Sequence, residues 1–494
     1  MKFHVMAILL VLLAGCQQHK APTLTIENLD DVRGSHVGVQ LGTTSDVLVT
    51  AMEQKGDGTH VERFTKSADA IQALRQGKID CMVEDEAPAK AFQRQNPTLR
   101  ILPQAFGQSG LAICVAKENT PLLANIDAAI DRLTKNGTID SIVNRHIDRG
   151  IAVAYTPRQD IKREGKLRFS TNAAFEPFEY YDDGKIVGID IDVANAICDD
   201  LGKKLEVVDM EFDAVITSVQ TGKADAGIAG ITVTPEREKN INFSQPYTNV
   251  KQVVITNSGT EAEARPSLTE QFKTCFITGH RYQYLLTGLG HTLTITIFAI
   301  IFSLLLGTLI AIVRSTHDRQ GTHRLLNLIC QAYLTIIRGT PTMVQLLIIY
   351  YVVFASANVD KLFVAIIAFG MNSAAYIAEV VRSGIMSVDK GQIEAGRSLG
   401  LSYSKTMRLI VLPQAFKNVL PAIGNELITL LKETSISGYI GLVDLTKGSD
   451  IIRSITYDAM MPLGVVALIY LSIVLALAAG VNKLEKRLAK ENGK

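Results

Sequence analysis

The eight residues 391–398, GQIEAGRS, come within one position of the loop GxxxxGK[ST] whose backbone amides and lysine hold nucleotide phosphates. That chemistry needs the lysine as a point charge, a strand before the loop and a helix after it. Here Arg397 stands in the lysine's place, a long apolar stretch ends just upstream, and no strand–helix–strand alternation surrounds the segment. Phosphate hydrolysis is therefore excluded for this stretch. No catalytic constellation stands elsewhere in the chain, which reads as a non-enzyme. Cys81, Cys114, Cys198, Cys275 and Cys330 are scattered, with no CxxC pair and no Cys/His cluster, so a metal site and a disulfide framework are unsupported. Cys81 and Cys114 would pair only if the fold brought them together; otherwise these are buried free thiols.

The elements that must position such residues fall into two regimes. The chain has 494 residues and a net charge of +1, which gives no basic face for nucleic acid. Residues up to about 270 are mixed and charged, and residues after about 290 carry long apolar runs. At the N-terminus, MKFHVMAILLVLLAGC combines Lys2, an apolar core and small residues before Cys16. That core is too short to cross roughly 30 Å of hydrocarbon. LAGC resembles a bacterial lipobox, which implies that residues 1–16 are a signal peptide and that Cys16 is lipidated. Ordinary cleavage and an uncleaved anchor are the alternatives, and all three export the downstream chain.

Five apolar segments are expected to span a membrane: 291–313, a second within 326–357 interrupted by RGTP, then about 361–382, 416–435 and 462–481. The fourth carries Glu426, Lys432 and Glu433, which are expected to face a bundle interior. The loop RSTHDRQGTHR and the tail KLEKRLAKENGK are basic, whereas SANVD has no positive charge. Positive-inside bias then places the tail and residues 383–415 in the cytoplasm and everything before 290 outside.

On that cytoplasmic side, the opening segment reads as a short helix pair. Ile393, Leu399 and Leu401 form one apolar edge, Gly400 permits a turn, and Met407, Ile410, Val411 and Leu412 precede a break at Pro413. Glu394, Ala395, Gly400, Ile410, Leu412 and Pro413 match the EAA loop of binding-protein-dependent ABC permeases, with Gly396 where the family usually has Ala. Together with RGTPTMVQ, AAYIAEVVRSGI and LLKETSI, residues 281–490 resemble the polar amino-acid permeases. The resemblance implies that the loop, residues 393–413, couples to a separate cytoplasmic ABC ATPase dimer. ATP and Mg²⁺ would bind there and no cofactor on this chain. It also implies pairing with a second permease copy as a homodimer in membrane lipid.

In the exported half, residues 165–257 alternate strand and helix: KLRFSTN, IDIDVANAICDDLGKK, KLEVVDM, FDAVITSVQTGK and ADAGIAGI. This order implies an α/β lobe with a crevice at the strand carboxyl ends. AAFEPFEYYDDGKIVGIDIDVANAI and GITVTPEREKNINFSQPY resemble the first lobe of family 3 periplasmic amino-acid-binding proteins. Residues 23–148 resemble the second lobe, so the halves stand in reversed order across a linker at 149–164, with a second linker at 258–280. We read this as a circular permutation; a tandem pair reduced to one half each is the alternative. The expected fold is thus multidomain: a two-lobed α/β periplasmic-binding-protein fold (type II), then an all-α transmembrane permease domain of about five helices.

An amino acid presents a carboxylate and an ammonium, and each needs a partner once desolvated. The resemblance implies Arg237 for the carboxylate, with Thr232, backbone N–H near Gly230 and Thr44 assisting. Asp85 takes the ammonium, Phe175 and Phe212 pack on the side chain, and Asn172 and Gln40 read its polar end. Asn172 stands where binders of basic amino acids often carry an acid, which favours a glutamine- or asparagine-like ligand; Glu84 keeps a basic one open. The expected function is the receptor–permease subunit of an ATP-driven polar amino-acid importer in the bacterial inner membrane, with its binding domain outside. An amino-acid-gated channel or a chemosensory receptor is the alternative. The channel would need a re-entrant filter such as TVGYG, and the receptor a cytoplasmic signalling domain.

Overall fold

A computed structural model of the chain describes residues 24–149, 155–257, 267–355, 359–456, 458 and 460–492. The signal segment with Cys16 and part of each linker lie outside the described residues.

The first lobe runs β1 (His36–Gln40), α1 (Thr44–Gln54), β2 (His60–Phe64), α2 (Ser67–Arg75), β3 (Cys81–Asp85), α3 (Glu86–Gln95) and β4 (Leu99–Leu111). The chain then crosses to β5 (Cys114–Val115), α4 (Thr120–Lys135) and α5 (Thr138–Arg149). The second lobe continues with β6 (Lys166–Thr171) and the short strands β7 (Ala174–Phe175), β8 (Glu179–Asp182) and β9 (Lys185–Val187). It is completed by α6 (Ile189–Asp200), β10 (Lys204–Asp209), α7 (Phe212–Gln220), β11 (Ala226–Gly227), α8 (Pro235–Glu238) and β12 (Asn242–Phe243). A last strand, β13 (Thr248–Asn257), returns to the first lobe.

The two main sheets share one pattern. Their orders are β2-β1-β3-β13-β4 and β10-β6-β11-β5-β12. In each, the first three strands run parallel and the fourth is an antiparallel strand delivered from the other lobe. The division by sequence therefore differs from the lobes. Residues 114–149 belong to the second lobe, where Ile126 and Ile130 pack with Phe169, Ile189 and Ile197, while β13 pairs with β3 and β4 in the first. Each lobe closes its sheet with the other's strand because an antiparallel addition needs only a short crossing, whereas a parallel one needs a long connection. Two crossings, at 112–113 and 244–247, join the lobes, an arrangement suited to a hinge. Cys81 and Cys114 are both free, and they are buried in the cores of different lobes.

The apolar half begins with α9 (Tyr282–Gln320) and α10 (Arg324–Gly339), followed by α11 (Thr342–Ile348), which a π-helical turn, Ile349–Val353, extends. Then come α12 (Lys361–Ser387), α13 (Lys390–Ser398), α14 (Tyr403–Thr406), α15 (Leu412–Glu433), α16 (Leu445–Thr456) and α17 (Met460–Asn492). Three of these, α9, α12 and α17, are unbroken, long and apolar enough to cross a membrane. The expected second span is instead a pair: α10 and α11 with its extension are bent by 111° at Thr340–Pro341. Pro341 lacks an N–H and clashes with the preceding turn, so one straight helix cannot pass through it. Counting that pair, four candidate spans stand where five were expected. The fourth expected segment, α15, is a 22-residue helix that is not apolar enough to count among the candidate spans. Within it, Glu426 accepts a hydrogen bond from Ser373 Oγ of α12 at 2.8 Å, while Lys432 is exposed.

Residues 391–398 form helix, not a phosphate loop. Pro413 does not break the chain's helix either. It stands second in α15, directly after a π-turn, Met407–Val411, that joins α14 to α15, so the helical run continues through it. Gly396, where the family usually has Ala, lets the hairpin close: an added Cβ would lie 2.8 Å from Thr406 Cγ2 and 3.0 Å from Ile410 Cδ1. Leu399, expected on the apolar edge with Ile393, points away and is 82% exposed.

The two halves touch through polar contacts. Gly184 N–H donates to Tyr284 Oη at 3.0 Å, and Lys361 Nζ donates to the carbonyls of Asp209 and Gly441 at 3.0 and 3.2 Å. Ion pairs from α16 reach both lobes: Lys66–Asp450 at 2.7 Å and Arg453–Asp69 to the first, Lys447–Glu211 at 2.8 Å to the second. Lys361 opens α12, whose 27 residues run roughly 40 Å to the hairpin of α13 and α14. The clamshell and the hairpin therefore lie at opposite ends of the bundle.

Candidate functional site

The loops at the carboxyl ends of the strands in both sheets meet in a narrow cavity of about 20 Å³. From the first lobe it is lined by Gln40 at the end of β1, Thr43, Thr44 and Ser45 at the start of α1, and Glu84 and Asp85 at the end of β3. The second lobe contributes Asn172 after β6, with Phe175, Phe212, Gly230, Thr232 and Arg237. All nine residues expected at a binding site line this one cavity, together with Thr43, Ser45, Glu84 and Ala229.

Arg237 spans the lobes. Its guanidinium donates to Thr232 O at 2.6 Å in its own lobe and to Gly42 O at 2.6 Å across the cleft. It lies 5.7 Å from the centre of the Phe212 ring, a cation–π distance. Burial lowers its pKa from the ordinary value, yet arginine stays charged in proteins. A cation held by two neutral carbonyls in a buried site is a ready partner for a carboxylate. Thr44 adds a buried hydroxyl, Oγ1, with no partner, in the first turn of α1, where amides and the helix dipole favour an anion.

Other groups are already engaged. Gly230 N–H, expected to face a carboxylate, donates to Asp190 Oδ2 at 2.7 Å. With φ at +56° the glycine turns its amide inward, and the Phe175 ring covers the position a Cβ would take. Gln40, expected to read a ligand's polar end, gives its N–H to Thr65 O at 3.2 Å and accepts from Ser67 Oγ at 3.0 Å. Asn172 donates to Met210 O at 2.8 Å.

The two acids differ in role. Asp85 Oδ1 accepts from Gln252 Nε2 at 2.6 Å, and burial pushes its pKa up to about 6. Burial, reinforced by the neighbouring Asp85 carboxylate, pushes Glu84 up to about 8. Two adjacent carboxylates in a buried site disfavour a double charge, so both pKa values lie above the ordinary range. Ser67 Oγ lies 3.0 Å from Gln40 Oε1 and 2.5 Å from Glu84 Oε2, but a hydroxyl has one proton to give. Gln40 Oε1 and Glu84 Oε2 therefore compete for the Ser67 proton, and the shorter contact is to Glu84.

Sequence reasoning missed Gln252, which is fully buried on β13, 167 residues from its partner Asp85. In the antiparallel β13–β3 ladder Gln252 stands directly opposite Asp85, and opposite residues project from the same face of a sheet. No periodicity in the sequence signals it.

The site's setting is matched by known proteins. Residues 167–453 match the model of the bacterial extracellular solute-binding proteins, family 3. The chain is 39% identical over 211 residues to the arginine transport system permease protein ArtQ of Bacillus subtilis (strain 168), covering 42% of this chain and 94% of that one. It is 36% identical over 207 residues to the putative glutamine transport system permease protein GlnP of Rickettsia bellii (strain RML369-C), covering 42% and 93%. A solved structure described as an amino acid ABC transporter with histidines is 38% identical, covering 43% of this chain and 98% of that chain, with a TM-score of 0.39. The chain is an integral membrane protein that belongs to the family 3 bacterial extracellular solute-binding proteins and, fused to them, the amino-acid ABC transporter permeases.

Proposed function

We propose that this chain is the receptor and the permease of an ATP-driven polar amino-acid importer, joined covalently. The observation that carries the reading is the interlobe cavity. It sets the half-buried cation Arg237 of one lobe and the buried acid Asp85 of the other around the same space. A ligand with a carboxylate and an ammonium satisfies both and so favours the closed clamshell, a shift driven by differential affinity. At about 20 Å³ the closed cavity holds a water or two, so the lobes must part at their two crossings to admit an amino acid.

With its pKa raised to about 8, Glu84 favours a neutral ligand of the glutamine or asparagine kind, because a neutral Glu84 leaves Asp85 as the cavity's anion. A basic ligand would need Glu84 ionised. The relatives named for arginine and for glutamine transport bracket the same choice.

The hairpin of α13 and α14 would seat in a cytoplasmic ABC ATPase dimer, which binds ATP and Mg²⁺, and two copies of the chain would form the pore. Fusion keeps the receptor at high effective concentration over its own permease. The repeated strand order of the two sheets supports the reading of the exported half as one circularly permuted two-lobed binder. Lipidation at Cys16 would add a second tether to an inner membrane whose outer side carries the receptor.

Two measurements test this. Proteoliposomes holding the chain with its ATPase subunit should concentrate one of the twenty amino acids only when ATP is supplied; accumulation without ATP refutes the reading. Glu84→Gln, which mimics the neutral acid, should leave affinity for a neutral ligand within about threefold, whereas a basic ligand would lose tenfold or more. The same variant carries a pH signature. Glu84 has its pKa raised from 4.5 to about 8, so the folded chain keeps a proton that the unfolded chain releases, and stability declines as pH rises across that window. Glu84→Gln removes that decline, and its melting temperature should exceed the wild type's at pH 8 and approach it near pH 5.

A further inference from the structure

A chain of hydrogen bonds links the two lobes beside the interlobe cavity. Gln252 on β13 is fully buried and does not line the cavity itself. Its amide nitrogen has two protons to give, and both are used. Nε2 donates to Asp85 Oδ1 at 2.6 Å and to Ser109 Oγ on β4 at 3.0 Å. Ser109 Oγ in turn lies 3.2 Å from Thr232 Oγ1 of the second lobe, and the Thr232 carbonyl accepts from the Arg237 guanidinium at 2.6 Å. The chain thus runs from Asp85 to the residue that holds Arg237. Leu111 bridges Thr232 directly before the crossing at 112–113, so the chain lies at the hinge, where opening of the lobes moves it least.

The amide is kept there at a cost. Its carbonyl oxygen, Gln252 Oε1, is buried without a partner, which carries a desolvation penalty. Gly107 leaves room for it, since a Cβ there would lie 3.0 Å from Oε1. An apolar side chain of similar size would avoid that penalty, so what glutamine adds at this position is its two N–H donors. An ionised carboxylate only accepts, which turns the nitrogen end toward Asp85. Asp85 lines the cavity with its other oxygen, Oδ2, free of any donor among the described residues. Ser109 accepts from Gln252, and the acceptor within reach of its own proton is Thr232 Oγ1. Thr232 then has a hydroxyl proton left to give, and it lines the cavity together with Arg237.

We propose that Gln252 is a positioning residue that fixes the polarity of the cleft: it holds Asp85 as the acceptor for a ligand's ammonium and, through Ser109, aims the Thr232 hydroxyl proton at the ligand's carboxylate beside Arg237. The proposal rests on the importer reading of this cavity and adds an orientation to it. An α-amino acid then fits in one direction, with its ammonium toward the first lobe and its carboxylate toward the second. The primary amide of the same amino acid fits less well, because its nitrogen brings protons to a site that already donates. With Gln252 or Ser109 removed, the Thr232 hydroxyl is free to turn and accept, and that discrimination weakens.

The test is calorimetry on the purified full chain from pH 4 to 8, with each of the twenty proteinogenic amino acids as probe and, for any that binds, its primary amide. Binding by the unmodified chain should weaken as pH falls through the Asp85 pKa, which burial raises to about 6, because a protonated Asp85 no longer attracts an ammonium. Of the groups around Asp85, Glu84 titrates higher, at about 8, burial holds Tyr247 well above its ordinary value, and Arg237 stays charged. Gln252→Leu should lower affinity about tenfold or more and move the acid midpoint to higher pH, since the bond from Gln252 holds the Asp85 pKa down. Ser109→Ala should leave that midpoint in place. Both variants should cut the preference for the acid over its amide about threefold or more. Should Gln252→Leu fail to fold, Ser109→Ala decides through that preference. An unmoved midpoint in Gln252→Leu, or an unchanged preference in Ser109→Ala, overturns the role of Gln252 while leaving the importer reading intact. Failure of the unmodified chain to bind any of the twenty overturns both.

Discussion

Arg237→Ala is expected to weaken amino-acid binding by ~30-fold to ~4,000-fold, the equivalent of roughly 2–5 kcal/mol for truncating one partner of a buried charge pair. The size reflects where the guanidinium sits. It is half-buried, its two hydrogen bonds go to neutral carbonyls of opposite lobes, and it forms no ion pair with an acid among the described residues. A ligand carboxylate would supply the missing anion, and removing the arginine strands that carboxylate in a site with little water. Arg237→Lys should recover only part of the loss, since an ammonium cannot reproduce the planar fork that reaches both lobes. Calorimetry on the full chain measures it. An affinity unchanged by Arg237→Ala would show that the carboxylate binds elsewhere, with the start of α1 and Thr44 as the next place to look.

Leu399→Asp should detach the ATPase subunit, weakening its association by ~30-fold or more and abolishing uptake, while receptor affinity stays unchanged. Leu399 is 82% exposed, more than any other large apolar side chain among the described residues. It sits at the tip of the hairpin, beside Gly400, whose φ of +82° makes the turn. The hairpin is rigid because Gly396 lets α13 close onto Thr406 and Ile410, so a force applied at Leu399 is carried into α15 without slack. A rigid element ending in an exposed leucine has the form of an anchor that another protein covers. Co-purification of the ATPase with tagged chain gives the readout. Retention of the ATPase by Leu399→Asp would place the contact elsewhere. ATP hydrolysis by the chain alone would overturn the two-subunit scheme altogether.

Local patterns carried much of this molecule. Apolar runs separated water from bilayer, the alternation of short strands and helices marked an α/β lobe, and the segment from Glu394 to Pro413 read as a pair of short helices, which the fold contains. The residues Arg237, Asp85, Asn172 and Thr44 were found through the resemblance to family 3 binding proteins, and the fold sets them where loops of the two α/β lobes converge. Local signals also misled where geometry overrides composition. Pro413 reads as a stop, yet the helical run continues through it. Gly396 reads as a weakness yet lets two helices close onto each other. The segment 326–357 reads as one interrupted span yet folds as two helices at 111°.

What the chain of residues determined by itself was therefore the kind of element at each position and the chemical groups available to a site. The tertiary structure alone decided which of those groups are free. Gly230 N–H and Gln40 are bound to neighbours, Thr44 Oγ1 is not, and Glu84 competes with Gln40 for the one proton of Ser67. It alone also brought Gln252 to Asp85 and set both lobes against α16. The physical reason is that periodicity reports on contacts within a few residues. Hydrogen-bond saturation, burial and enclosed volume depend instead on partners hundreds of residues away, and only the packed chain brings those together.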